Sequence, residues 1–344
     1  PVVVSGRSVG VVGELAGRLG GVAGSGRLVD VGLSSVVSRS VFEHRAVVLA
    51  EDSVGLGAGL DAVAGGVPSP GVVSGVVSVE GGRSVFVFPG QGTQWVGMAV
   101  RLWAESAVFA ESMARCEAAF AGLVDWRLSQ VLGDGAALER VDVVQPVSFA
   151  VMVSLAQLWR SLGVVPDAVV GHSQGEIAAA VVAGGLSLED GARVVALRAR
   201  LIGRELAGRG GMASVALPVA VVEERLAGWA GRLGVAVVNG PSATVVAGDT
   251  DAVVRFVAGC EAEGVRARRL PVDYASHSAH VEAVGGELEE VLAGIRPRSG
   301  SVPFYSTVEA AAVDTASLDA GYWLRNLRRP VRFQETVERL LADG

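Results

Sequence analysis

The chain has 344 residues, of which half are hydrophobic, and a formal net charge of −7. This length predicts two or three compact units with a large apolar core. The acidic balance argues against a nucleic-acid partner, because phosphate binding needs a basic face. No apolar run approaches the roughly 20 residues of a membrane span, so no membrane partner is expected. Cys116 and Cys260 lack metal-binding spacing, which predicts buried thiols and no metal.

The first 80 residues predict a small α/β unit. Strands are expected at 1–5 and 44–50, and helices at 9–19, near 31–39 and near residue 60. Residues 65–75 contain Pro68 and Pro70 and are typical of a linker. Residues 1–80 are therefore assigned to one unit.

From Val85 onward, buried strands alternate with amphipathic helices, which predicts a parallel sheet. Strands are expected at 85–88, 168–170 and 302–305, and helices at 145–162, 176–183, 191–206 and 334–342. Residues 81–211 and 275–344 are assigned to this α/β core.

Residues 212–274 predict a different unit, with strands and helices in the order βαββαβ and a last strand over 265–274. That order is typical of a ferredoxin-like subdomain. The predicted fold class is therefore α/β, with a hydrolase-like parallel-sheet core that carries an inserted ferredoxin-like (βαββαβ) subdomain. The small α/β unit precedes that core.

The segment Gly171-His-Ser-Gln-Gly175 lies between a buried strand and a helix. In this setting it predicts a nucleophile elbow, since the glycines permit a tight turn that exposes Ser173 at the strand's carboxyl end. The N-terminus of the next helix would point its free N–H groups at the same place. The alternative is a helix-capping serine in an ordinary turn.

A nucleophilic serine needs a base, and the candidates are His277 and His280. Their spacing leaves the choice between them open. Four acids lie where a third triad member could, although none stands out: Asp190, Asp249, Asp251 and Asp273. A backbone carbonyl or an amide could orient the imidazole instead.

Arg198 falls on the apolar side of the helix expected over 191–206, opposite three other arginines. A buried guanidinium must have a partner, because leaving it unpaired is very costly. The partner is either a structural Asp or Glu, or a substrate carboxylate held by two parallel hydrogen bonds.

The loop Phe88-Pro-Gly-Gln-Gly-Thr-Gln-Trp95 follows a buried strand. Open α/β sheets bind ligands at such strand ends. Gln91 could therefore offer its side-chain amide or its backbone N–H to a reacting carbonyl, although a plain turn is an alternative.

These motifs, together with Ala-Leu-Arg198-Ala-Arg and Tyr274-Ala-Ser-His277, resemble the malonyl-CoA:acyl-carrier-protein transacylase family. The resemblance is closest to acyltransferase domains of modular type I polyketide synthases, and it covers residues 84–344. Residues 1–80 resemble the linker unit between the ketosynthase and the acyltransferase of those synthases.

The resemblance implies that Ser173 is the acylated nucleophile and that His277, not His280, is its base. It makes Arg198 the anchor for the free carboxylate of the acyl group. The backbone carbonyl of Asn326 would support the histidine, which would explain the missing acid.

The resemblance also places Gln91 and the backbone N–H of Gln174 in the oxyanion hole. Tyr274 and Ser276 in Tyr274-Ala-Ser-His277, Arg140-Val-Asp-Val-Val-Gln-Pro146 and Gln174 are similar to the methylmalonyl-selective class. A malonyl-selective or larger-extender enzyme is the alternative.

The implied reaction is ping-pong transfer in polyketide biosynthesis, with methylmalonyl-CoA as donor and carrier-protein phosphopantetheine as acceptor. No cofactor would be bound. The expected partners are an acyl carrier protein and the neighbouring ketosynthase domain of the same cytosolic polypeptide. More remote alternatives are a serine thioesterase or hydrolase, and an inactive docking module.

Overall fold

The computed structural model describes residues 1–23, 26–77 and 82–344. Two compact units are present, Pro1–Gly82 and Arg83–Gly344. The unit boundary expected after residue 80 lies outside the described residues. The predicted α/β class is confirmed, and the elements below show how each unit is built.

The first unit packs helices on a small antiparallel sheet with the strand order β1-β2-β3. Its elements are β1 (Val2–Gly6), α1 (Val9–Ala23), α2 (Leu28–Val37), β2 (His44–Val48), α3 (Ser53–Gly65) and β3 (Val72–Val76). Alternate residues of β1 and β2 face a core that includes Val4, Val48, Leu56 and Leu60. The alternation of strand side chains between two faces explains this pattern.

The linker expected over 65–75 is wrong in part, because β3 begins at Val72. This strand pairs along its whole length with β2. Its side chains are mostly exposed, so it lacks the apolar alternation that would have predicted a strand.

The strands of the second unit form two sheets. They are β4 (Val85–Phe88), β5 (Ala168–Gly171), β6 (Gly211–Val215), β7 (Leu233–Gly240), β8 (Ala243–Gly248), β9 (Ala267–Arg269), β10 (Phe304–Ser306) and β11 (Ala311–Val313). The core sheet has the order β11-β10-β5-β4, in which β4, β5 and β10 are parallel and β11 is antiparallel. The carboxyl ends of β4 and β5 therefore lie side by side.

Helices cover this core sheet and the second sheet. They are α4 (Val100–Glu105), α5 (Ala107–Ala119), α6 (Leu128–Val131), α7 (Gly135–Glu139), α8 (Val141–Ser161), α9 (Gly175–Ala183), α10 (Leu188–Leu201), α11 (Val219–Leu226), α12 (Thr250–Ala262), α13 (Gly285–Leu292), α14 (Ala320–Arg328) and α15 (Phe333–Ala342). A π-helical turn, Ile202–Leu206, continues α10.

The second sheet has the antiparallel order β7-β8-β6-β9, which is the strand order of a ferredoxin-like unit. It lies between the elbow strand β5 and His277 in the chain, as the sequence predicts. The expected last strand over 265–274 is wrong in extent, because β9 ends at Arg269. Residues beyond it turn toward the core instead.

Helix α8 is long and apolar enough to cross a membrane by length and composition, contrary to the expectation that no run approaches this length. Of its most apolar stretch, 61% is buried inside the protein. It packs against α5, α9 and α10, so its apolar surface is used by the core.

Candidate active site

The elbow at residues 171–175 is a tight strand-to-helix turn with Ser173 at φ +54°. A Cβ on Gly171 would lie 2.1 Å from the backbone nitrogen of Glu176, and one on Gly175 would lie 2.2 Å from the carbonyl oxygen of Phe88. Only glycine fits these two close approaches. The positive φ of a non-glycine residue is a strained conformation of the kind concentrated at functional sites.

Ser173 and His277 are in direct contact although 104 residues separate them. The serine Oγ lies 2.8 Å from Nε2 of His277, which is within hydrogen-bonding reach of a general base. His277 is only 4% exposed and also has a positive φ, +59°. A half-buried serine and a buried histidine thus form a pair that is held by an unusual backbone at both positions.

Two backbone carbonyls orient His277, one in the last turn of α14 and one directly after that helix. Its Nδ1 lies 2.8 Å from the carbonyl oxygen of Arg329, and its backbone N–H donates to the carbonyl oxygen of Leu327, also at 2.8 Å. Because Nδ1–H donates to a carbonyl, Nε2 is left as the acceptor for the serine proton. The prediction that the carbonyl of Asn326 gives this support is wrong, since the carbonyl three residues later does so.

Burial and the nearby positive charge of Arg198 lower the pKa of His277 to about 3, although the bond to Arg329 opposes this. Both causes disfavour the charged imidazolium. The imidazole is therefore neutral near physiological pH, which is the form that accepts a proton.

His280 and the four candidate acids lie elsewhere. Nε2 of His280 is 3.0 Å from an oxygen of Asp249, and Asp273 accepts a hydrogen bond from the backbone of Gly208. Asp251 pairs with Arg232, and Asp190 accepts from the backbone of Arg296. Among the described residues, no group of His, Cys, Asp or Glu could hold a metal ion.

Arg198 is buried, with 1% of its surface exposed, as its position on α10 predicts. One terminal nitrogen donates to Oδ1 of Asn326 at 2.7 Å, whereas its Nε has no hydrogen-bond partner. Within the described part of the chain, it forms no ion pair. Burial lowers its pKa to about 10, which leaves the guanidinium charged at neutral pH.

Three buried or partly buried polar side chains meet beside the loop after β4. The hydroxyl of Tyr274 donates to Oε1 of Gln91 at 2.6 Å, and Nε2 of Gln145 donates to the same oxygen at 3.3 Å. Burial raises the pKa of Tyr274 to about 12, so its hydroxyl remains a donor. These bonds engage the carbonyl end of the Gln91 side chain and leave its backbone N–H as the simpler donor to a ligand.

Ser276 is buried immediately before His277. Gln174 follows Ser173 at the N-terminus of α9, and its side chain is buried without a hydrogen-bond partner. Over residues 82–344, the backbone N–H groups of Gln91 and Gln174 donate to no acceptor. Free N–H groups at a helix start are suited to bind a developing negative charge.

The sequence did not reveal the contacts of three polar residues near the elbow and the loop after β4. Gln145 contacts Gln91, and His172 lies 2.8 Å from the side chain of Asn239 on β7, through Nε2. Glu176 is completely buried next to the elbow. Its position directly after Gly175 could have indicated these contacts, because a carboxylate in the first turn of a buried helix needs hydrogen-bond partners.

The family model described as the acyl transferase domain matches residues 85–344. Polyketide synthase GfsE of Streptomyces halstedii is 57% identical over 92% of this chain and 8% of its own length. Pikromycin polyketide synthase component PikAII of Streptomyces venezuelae is 54% identical over 100% of this chain and 9% of its own length.

The crystal structure of the acyltransferase domain from module 8 of the salinomycin polyketide synthase has a TM-score of 0.95 and 51% identity. That match covers 100% of this chain and 82% of the other chain. This chain therefore spans less than a tenth of these two curated synthases and about four fifths of the solved chain.

The fold and these comparisons define an α/β enzyme of the acyltransferase class, which confirms the predicted kind of enzyme. More narrowly, the chain belongs to the acyl transferase domain family. It is an acyltransferase domain of a modular type I polyketide synthase.

Proposed function

We propose that this chain transfers a methylmalonyl group from coenzyme A to the phosphopantetheine thiol of an acyl carrier protein, through an ester on Ser173. One observation carries the proposal. The contact between Ser173 and His277 lies in the same hydrogen-bond network as Arg198, whose Nε has no partner and which pairs with no carboxylate among the described residues.

The first half-reaction forms the ester. His277 Nε2 accepts the hydroxyl proton as Ser173 Oγ bonds to the thioester carbonyl carbon. The backbone N–H groups of Gln91 and Gln174 stabilise the resulting oxyanion. When the carbon–sulfur bond breaks, the proton on His277 passes to the sulfur of coenzyme A. The carrier thiol then repeats these steps in the opposite direction.

Arg198 selects the acyl group. A substrate carboxylate would satisfy the unpartnered side of the guanidinium and would fix the thioester for attack by Ser173. A serine hydrolase does not need an arginine that binds a substrate carboxylate. A buried arginine that lacks an ion pair therefore supports a carboxylated acyl donor.

The preference for methylmalonyl over malonyl or larger extenders rests on Tyr274 and Ser276. Ser276 is small and adjoins the base, so it leaves room beside the α-carbon of the acyl group. Tyr274 contacts Gln91. The same donor choice is supported by the similarity of Arg140-Val-Asp-Val-Val-Gln-Pro146 to the methylmalonyl class.

The proposed partners follow from the relatives, which are polyketide synthases many times longer than this chain. The acceptor would be an acyl carrier protein, and a ketosynthase domain of the same polypeptide would be the neighbour of residues 1–80. The protein would act in the cytoplasm, without a bound cofactor or metal.

Intact-protein mass spectrometry tests the proposal. After incubation with an equimolar mixture of methylmalonyl-, malonyl- and propionyl-CoA, we expect one added methylmalonyl group per chain. Acyl carrier protein that bears phosphopantetheine but no acyl group is then added. It should remove the methylmalonyl group from the chain and become acylated itself.

Ser173→Ala should give no adduct, and Ser276→Ala, which keeps the pair, should still give one. A stable adduct on Ser173→Ala would overturn the assignment of the nucleophile. A dominant malonyl adduct on the parent protein would overturn the choice of extender alone.

A further inference from the structure

A buried carboxyl group lies next to the site without taking part in the proposed proton transfers. Glu176, in the first turn of α9, is 0% exposed. It accepts from the backbone N–H and the hydroxyl of Thr307, from the hydroxyl of Tyr322 at 2.7 Å, and from Nδ2 of Asn326 at 2.8 Å. Burial raises the pKa of Glu176, and the hydrogen bonds from Tyr322, Thr307 and Asn326 oppose this by favouring the carboxylate.

The bond from Asn326 to Glu176 fixes the orientation of the asparagine amide. Its Nδ2 donates to Glu176 and also faces the carbonyl oxygen of Ser173 at 3.3 Å. With the nitrogen end committed to two acceptors, the oxygen end must face Arg198, from which it accepts at 2.7 Å. The amide thus links the nucleophile, the carboxylate and the guanidinium.

The neutral amide of Asn326 separates Glu176 from Arg198 and so prevents a direct ion pair between them. A carboxylate in direct contact with the guanidinium would occupy two parallel N–H donors. Asn326 occupies one terminal nitrogen, and Nε of Arg198 has no partner. Glu176 still acts on the arginine charge from beyond the amide. The amide therefore holds the guanidinium through one terminal nitrogen and leaves Nε for a further acceptor.

We propose that Glu176 and Asn326 are positioning residues that keep Arg198 oriented and free to bind the acyl carboxylate. Glu176 fixes the orientation of the Asn326 amide, and that amide fixes the position of the Arg198 guanidinium. This inference rests on the proposed role of Arg198. It adds that carboxylate selectivity depends on residues that do not touch the substrate.

Glu176→Gln is the sharpest test, because it keeps the shape and replaces one acceptor oxygen by a donor. An NH₂ group facing Nδ2 of Asn326 favours reversal of that amide, which would turn donors toward Arg198. We expect the ratio of Ser173 acylation rates for methylmalonyl-CoA over propionyl-CoA to fall at least about tenfold. The rate with propionyl-CoA should change much less.

Asn326→Asp is the second variant if Glu176→Gln does not fold. It keeps the oxygen that faces Arg198 and replaces the N–H donor to Glu176 by an oxygen. Glu176 should then take up a proton, and the new carboxylate should pair with the guanidinium, so the substrate carboxylate loses its place. The same ratio should fall. Thr307→Val is the matched control, since it removes the hydroxyl bonds to the Glu176 oxygen that Asn326 does not use and to the carbonyl oxygen of Gly171, and it leaves Asn326 in place. It should lower the melting temperature without changing the ratio.

Arg198→Ala is measured beside these variants and separates the two hypotheses. If Arg198→Ala leaves the ratio unchanged, the proposed role of Arg198 fails. If Arg198→Ala lowers the ratio and the folded Glu176→Gln and Asn326→Asp proteins keep it, the positioning role of Glu176 and Asn326 is overturned. A fall for all three variants, with Thr307→Val unchanged, supports the inference.

Discussion

His277 and His280 are three residues apart and differ in what their ring nitrogens contact. His277 Nε2 lies 2.8 Å from the hydroxyl of Ser173, whereas His280 Nε2 lies 3.0 Å from Asp249. We expect His277→Ala to slow acylation by about 10²–10⁴-fold, the range for loss of a general base. His280→Ala should change the rate little. Time-resolved mass spectrometry of the adduct measures both, and equal losses would contradict the assignment.

Tyr274 can influence the extender through its volume or through its hydroxyl, which donates to Gln91 at 2.6 Å. Tyr274→Phe removes the bond and keeps the ring. We expect acylation by methylmalonyl-CoA and malonyl-CoA to fall by similar factors, so that their ratio in a competition assay is preserved.

Replacing both Tyr274 by His and Ser276 by Phe should move that ratio toward malonyl-CoA. The shift should be modest, because one methyl group in an apolar pocket contributes about 1–3 kcal/mol. A large change of ratio with Tyr274→Phe alone would show that the hydroxyl itself discriminates between the donors.

The local residues of the site could be predicted from the sequence, and the long-range partners could not. Ser173 is identified by the glycines and the strand and helix around it, and the burial of Arg198 by helical periodicity. The amide of Asn326 pairs with Glu176 across 150 residues, and no local pattern records that contact. The carbonyl of Arg329 is a backbone group, which residue type does not reveal.

At the scale of elements, the elbow depends on the close approach of α9 to β4. A Cβ on Gly175 would lie 2.2 Å and 2.6 Å from the carbonyl oxygens of Phe88 and Pro89, and backbone atoms cannot rotate away. We expect Gly175→Ala to lower the free energy of unfolding by at least about 1–3 kcal/mol, the usual cost of overpacking. Thermal unfolding measures the effect.

Gly259→Ala is the matched control for this prediction. Gly259 lies on an exposed part of α12 with no atom within 4 Å of a Cβ. Alanine should stabilise this helix by about 0.5–1 kcal/mol. Similar effects of the two substitutions would mean that the turn tolerates a side chain.

Elements with strong apolar periodicity were predicted well, and those fixed by partners were not. The bounds of β4 agree with the sequence. Helix α8 begins at Val141, four residues before the expected start, and continues through Pro146 because it is packed by α5, α9 and α10. Strand β3 is extended because it pairs with β2, whereas its own glycine and exposed residues favour a loop.

At the scale of the whole molecule, every residue proposed for the chemistry lies in the unit Arg83–Gly344. We expect a protein that lacks residues 1–82 to fold and to form the Ser173 adduct with methylmalonyl-CoA at a rate close to that of the full chain. Circular dichroism and intact mass measure the two properties. A folded protein without an adduct would show that the first unit contributes to the reaction.

The positive charge of Arg198 also acts on His277, the proposed base. Burial and this charge together hold the pKa of His277 at about 3, so the imidazole is a weak base. An acyl carboxylate that pairs with Arg198 would offset this charge and make His277 more basic. Under the proposed role of Arg198, a carboxylated donor would thus strengthen the base that activates Ser173, and an uncharged donor would not.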